Sequence, residues 1–329
     1  ARRAAAGGRT LLVVKAQHNL GYLSFLRGDL PAALASMAQA SRLEHGASPA
    51  VALLDQAQVL IEAGLLGEAD SSLGRAAALF AEQRLGRDLA EVELLRAQCA
   101  LLAGRPREAV SWATSARRRF ARRGLAPWRA RADLALLRAR LAELLGGNEP
   151  DVPALLRLAD RAATLGQTVR LHPGPVADEV GRAALAVAAE AWAAAGRLDA
   201  ADDALAALVP GAQREGLVLA LQIAAVRATV AFRRGDRAEG GRAVASAQDL
   251  LAEHRRRLGS VEVVTAAAVH GERLAAVDVG AALSSGDPAA VLDALERARA
   301  TFAGPARVRP PSDPGQAALL TELRRLVER

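Results

Sequence analysis

Cysteine occurs once in the 329 residues, at Cys99. That excludes a disulfide framework and any cysteine-rich zinc module, and it points to a reducing compartment, here the cytoplasm. Lysine also occurs once, at Lys15. It follows Val14, so the Gly-Lys of a phosphate-cradling loop does not exist in this chain. The five histidines (His18, His45, His172, His254 and His270) show no i, i+4 pairing and no HExxH pattern, so no metal is expected, and no cofactor fingerprint occurs. No segment reaches the roughly 18 uninterrupted apolar residues of a membrane span. The alanine-rich stretch from Ala183 to Val209 is interrupted by Glu190, Arg197, Asp199, Asp202 and Asp203. Aromatic residues are only 3% of the chain.

What the chain does have is alanine, its commonest residue, within 51% hydrophobic and 24% charged content. Small side chains suit helices packed at short interaxial distance, and alanine is a weak strand former. The expectation is an all-α fold. The net charge of +7 is not spread evenly. Between Arg117 and Arg140 nine arginines face one acid, Asp133, while the rest of the chain holds 34 basic against 35 acidic residues. The excess is one patch, formed by Arg117, Arg118, Arg119, Arg122, Arg123, Arg129 and Arg131 around Phe120 and Trp128. Guanidiniums can clamp phosphates or carboxylates, so acidic protein or nucleic acid could bind there. The simpler reading is a solvated helix end in an arginine-rich chain, and nucleic acid is not the expected partner.

The stretch from Ala16 to Leu43, AQHNLGYLSFLRGDLPAALASMAQASRL, shows the organising unit. Two helical patterns meet at Gly28-Asp29, with Leu20 and Gly21 on the first helix and Ala33, Met37 and Ala40 on the second. That order of small and apolar residues resembles a tetratricopeptide (TPR) unit, although Gln17 stands where its tryptophan is expected. The signature recurs around Gly64, Gly104, Gly146, Gly196, Gly235 and Gly286. In each case glycine is expected to end one helix in a left-handed cap, and the Asp, Pro or Glu that follows begins the next. The spacings are 36, 40, 42, 50, 39 and 51 residues, so the predicted α-solenoid of about seven hairpins is degenerate. The two long intervals predict irregular segments, one at His172-Pro173-Gly174-Pro175 and one near Leu258 to Ser260.

The expected division is a helical repeat domain over 1–304, a proline-rich linker over 305–315, and over 316–329 the start of a helix leading into a further domain. Twin arginines near the N-terminus precede an apolar run too short for a secretory signal, and no initiating Met is present, so the chain is read as lying within a longer polypeptide.

Three stretches, AQHNLGYLSFLRGDLPAAL, VALLDQAQVLIEAGLLGEA and AEVELLRAQCALLAGRPREAVSWATSARRRFARRG, resemble the TPR region of bacterial CHAT-domain proteins. RVRPPSDPGQAALLTELRRL resembles the linker before their CHAT domain. The resemblance implies a caspase-like cysteine peptidase following Arg329, with the repeats sensing or positioning partners. No catalytic residue carries over to this chain, and none is expected in it. Cys99, in the apolar run AQCALL, reads as a core residue.

Recognition is the expected role. In such a solenoid the first helix of each hairpin lines the concave groove. Counting six residues back from each turn glycine gives Tyr22, Gln58, Gln98, Arg140, Glu190 and Thr229, with Gly280 in the last unit. Lys15 and Asn19 add to the first position. This row is the candidate site for a protein or peptide ligand, and the C-terminal CHAT domain is the second expected partner. A sensor solenoid of a bacterial transcription regulator or signalling ATPase is the alternative.

Overall fold

The computed structural model describes residues 16–25, 27, 29–42, 49–147, 149–171, 174–208, 216–258 and 261–302. Lys15, Gly28, His45, His172, Pro173, the 305–315 linker and the 316–329 helix lie outside the described residues.

The fold is an all-α solenoid. Its first helix, α1, covers residues 16–25, and the next is α2 (Leu30–Arg42). Then come α3 (Pro49–Glu62), α4 (Leu66–Glu82), α5 (Gly86–Leu102), α6 (Pro106–Arg122), α7 (Ala126–Leu145) and α8 (Val152–Arg170). The second half contains α9 (Pro175–Ala194), α10 (Leu198–Ala206), α11 (Leu217–Arg233), α12 (Arg237–Arg256), the short α13 (Val261–Ala266) with a 3-10 turn (Ala267–Gly271), α14 (Glu272–Ser285) and α15 (Pro288–Phe302). No strand occurs among the described residues, and no helix in them is long and apolar enough to cross a membrane.

The turns follow from local chemistry. After α3, α5, α9 and α11 the chain reverses with an amide bonding the carbonyl five residues back, as in Leu65 N to Leu60 O at 2.9 Å and Arg105 N to Ala100 O at 2.8 Å. Asp236 caps α12 and Asp151 caps α8, each side chain accepting from the amide three residues on. Gly64, Gly104, Gly196, Gly235 and Gly286 are left-handed, but Gly146 is not: its φ is −82°. There the reversal is spread over the longer stretch to Asp151, so no tight cap is required. Helix α8 consequently packs chiefly on α9 rather than on its own hairpin partner α7.

Alanines at 0% exposure, among them Ala90, Ala132, Ala139, Ala184 and Ala188, let helix axes approach closely. The first helices α3, α5, α7, α9, α11 and α14 touch one another in sequence, whereas the second helices make no comparable contacts among the described residues. The array therefore curves with its first helices inside. Helix α9 is the most enclosed element, with every residue from Ala183 to Ala191 buried.

The curvature brings the two ends of the array together. Leu30, Ala33, Met37 and Val59 share one core with Leu258, Val264 and Ala267. His270 Nε2 lies 3.0 Å from the Glu62 carbonyl oxygen, across 208 residues of sequence. Burial, with His270 and Arg257 as lesser contributors, holds His254 below the usual imidazole range, and burial holds Glu62 above the usual carboxylate range. The His254 and His270 rings meet edge-on with centroids 6.4 Å apart.

At Gly64 an added Cβ would stand 2.2 Å from the Ala266 backbone oxygen, while at Gly104, equally left-handed, nothing lies within 4 Å. Gly104→Ala should cost only the left-handed penalty of about 1–2 kcal/mol. Gly64→Ala should cost more, and should enlarge the radius of gyration in small-angle scattering while Gly104→Ala does not. The seam is also pH-sensitive. An unfolded chain binds a proton at His254 near 6.5, where the folded seam resists it. Stability is thus full above that value and is lost as the pH falls toward the depressed folded pKa. Glu62 acts in the opposite sense, its share being present below 4.5 and lost as the pH rises through its raised value. Because the two oppose each other, the difference is what reports on His254: between about pH 8 and about pH 5 the unaltered protein should lose melting temperature relative to His254→Phe as the pH falls.

Candidate functional site

The inner wall carries a chain of polar contacts from first helix to first helix. His18 on α1 meets Asp55 on α3 at 2.7 Å. Beside them Tyr22 is half-buried, and its phenol is pushed above its usual value by burial and by Asp55 and Glu91. Burial likewise raises Glu91 on α5, with Arg87 opposing it. On α7, Arg131 lies 3.3 Å from Glu179 of α9 and stacks over Trp128, which in turn stacks on the buried Phe120.

Farther along, Arg138 reaches past α9 to Gln222 Oε1 on α11 at 3.3 Å. The Gln222 amide donates to Glu190 Oε2 at 3.1 Å, and Arg273 of α14 pairs with Glu190. Glu190 is 7% exposed. The Arg273 side chain is 44% exposed, yet burial and the neighbouring Arg138 push its pKa down to about 10. Arg273 thus faces water from a position ringed by protein, as expected inside the curve of a solenoid. Burial also lowers Arg138, with Glu179 opposing.

The sequence-derived row is distributed as follows. Tyr22 and Glu190 belong to this inner network. Asn19 and Gln98 are exposed and Gln58 is half-buried. Gln98 lies seven residues after Glu91, on the same face of α5. Thr229, whose hydroxyl donates to the Ala225 carbonyl at 2.8 Å, and Gly280 line a cavity of about 710 Å³ between the last helices. Arg140 is exposed on the opposite side of α7 from Arg131, nine residues or half a turn away. The count that selected it started from Gly146, which is not a tight turn, and landed two residues past Arg138.

Asp55, Glu91, Arg138, Gln222 and Arg273 were missed by that count. Three of them had a readable signal: Glu91, Gln222 and Arg273 stand thirteen residues before Gly104, Gly235 and Gly286, two turns of helix ahead of the first row.

The arginine patch does not form one surface. Arg119 makes a two-point contact with the buried Glu93 at 2.9 and 3.0 Å, shared with Ser115. Arg117 pairs with Asp133, with Arg129 3.7 Å from the same carboxylate. Arg123 donates to the Arg119 carbonyl, and Arg131 is on the inner wall. Arg118 and Arg122 are exposed. Cys99 is buried among leucines, its thiol pushed up to about 11 by burial, and contacts the Leu66 carbonyl at 3.3 Å. Among the described residues no group of three His, Cys, Asp or Glu side chains is placed to hold a metal ion.

No family model matches this chain, and no curated protein matches it. Among solved structures it is similar to the crystal structure of a Rap protein complexed with competence and sporulation factor. The identity is 14%, the TM-score 0.56, and the match covers 83% of this chain and 76% of that one. The likeness is one of fold, a TPR-like helical repeat.

Glu93 is 5% exposed, so its partner matters more than the neighbouring arginines do. Arg119→Met should destabilise the fold by about 2 kcal/mol, discounted from the 3–5 of a fully buried broken pair because Arg119 is partly solvated. Arg118→Met and Arg122→Met should each stay within about 0.5 kcal/mol in chemical denaturation.

Proposed function

We propose that this chain is a recognition scaffold that binds a protein or peptide along the inner wall of its solenoid. The observation that carries the reading is the continuous row of polar and charged side chains on the first helices, running from Asp55 and Glu91 through Arg138 and Glu190 to Arg273. An inner wall built only for packing would be apolar, because a desolvated charge costs several kcal/mol unless it is paired. The similar Rap structure was solved with competence and sporulation factor bound, which supports a binding role for this fold.

Within this reading the repeats regulate or recruit partners to a CHAT caspase-like peptidase, a step that rests on the sequence resemblance described above. The same Rap likeness favours one second reading, a sensor solenoid of a bacterial transcription regulator or signalling ATPase. The coding sequence beyond Arg329 separates the two, since a His/Cys peptidase domain there supports the first. The groove residues assigned are Tyr22, Gln58, Gln98, Glu190 and Thr229, with Arg138 taking the place of Arg140.

Peptides selected from a displayed library on the immobilised chain should lose at least about tenfold in affinity on Gln98→Ala or Glu190→Ala, the equivalent of a hydrogen bond to a charged group. Arg118→Ala, on an outer helix, should leave them unchanged. Binders indifferent to both luminal substitutions would sink the reading.

A further inference from the structure

The seam that joins the two ends of the array is small. Among the described residues its core is Leu30, Ala33, Met37 and Val59 against Leu258, Val264 and Ala267. Neighbouring helices elsewhere share longer runs of interlocking side chains, as α9 does with α8 and α10. The seam is therefore the interface that parts at the lowest free energy.

Two imidazoles are enclosed there with ring nitrogens that have no partner. His270 is 9% exposed. Its Nε2 lies 3.0 Å from the Glu62 carbonyl oxygen, which can only accept, so Nε2 carries the proton and Nδ1 is bare. His270 Nδ1 and His254 Nε2 are both shielded from water and make no hydrogen bond. The two rings meet edge-on. The charges acting on His254 also oppose a proton: His270 from the 3-10 turn and Arg257 from its own helix. Arg255 turns away to the Val264 carbonyl at 3.0 Å. No described charged group of α11 or α14, which also pack on α12, offsets them. From α3 the seam receives Glu62, which acts on His270.

From this arrangement we infer a proton-operated latch: acid parts the seam between α3 and the 3-10 turn while the hairpins stay folded, and the closed array becomes an open one. Closed, the seam offers an added proton no acceptor, and an unpaired buried charge is costly. Open, both imidazoles meet water and bind a proton near their ordinary value of about 6.5. Opening and protonation are thus linked, and each favours the other. Glu62 works against them, because opening lets its buried carboxyl ionise. The swing is largest when Glu62 cannot titrate. The latch does not depend on what the inner wall binds.

Two thiols test it. Val59 is 0% exposed in the seam, and Cys99, 1% exposed in the core of α3, α4 and α5, is a built-in reference. Val59→Cys is combined with Glu62→Gln, and the rates at which a disulfide reagent labels both thiols are followed by mass spectrometry. Their ratio cancels the effect of pH on thiol reactivity, and global unfolding exposes both alike. A proton bound by the open form alone predicts that labelling of the introduced thiol, relative to Cys99, rises at least about tenfold from about pH 7.5 to about pH 5.5. Adding His254→Phe with His270→Gln, whose amide can still donate to the Glu62 carbonyl, should remove the rise.

A ratio flat in pH with both histidines intact would overturn the latch, and that comparison needs no histidine variant to fold. A rise that persisted without the two imidazoles would place the proton elsewhere and overturn it as well.

Discussion

Close approach of helix backbones is the constraint on which everything else here depends. Fully buried alanines on successive first helices bring α5, α7 and α9 near enough for a side chain on one to reach past its neighbour. Arg138 on α7 contacts Gln222 on α11, and Gln222 in turn donates to Glu190 on the intervening α9. Larger core residues would widen the spacing and separate the partners of the inner row. The few large side chains, Phe80, Phe120, Leu141 and Leu155, fill the wider gaps toward the second helices.

On that frame charge is arranged by position rather than by abundance. The region richest in arginine in the sequence is largely spent on structure: Glu93, Asp133 and a backbone carbonyl take up Arg119, Arg117 and Arg123. The arginines that face the interior of the curve are fewer and more widely separated along the chain. What distinguishes Arg138 and Arg273 from Arg118 or Arg122 is the surrounding protein, which lowers the pKa of both guanidiniums.

The hairpins were legible in the sequence because their turns are local chemistry. Glycine followed by Asp or Pro ends one helix and starts another whatever lies elsewhere in the chain. The same logic failed where the turn was not tight: Gly146 has the right neighbours but a right-handed φ, and the residue count taken from it passed over Arg138. It also had no means of finding Arg84, which takes the left-handed cap between α4 and α5 without being glycine. Glu91, Gln222 and Arg273, three of the five inner-wall residues outside the first count, were readable at a second offset of thirteen residues. The contact of α2 and α3 with Leu258, Val264 and His270 was not readable at all, because no local pattern encodes a partner some two hundred residues away.

That contact changes how the array should come apart. In an open solenoid each repeat meets only its neighbours, stability is close to a sum of nearest-neighbour terms, and ends fray while the middle holds. Here the first repeats are fastened to the segment before the last hairpin, so fraying at the N-terminal end must first break a core shared with the far end. The repeats between Gly64 and Ala266 form a closed loop of interactions, and losing any one interface loosens the rest. The molecule is built from repeats, yet it should unfold with the cooperativity of a globular domain.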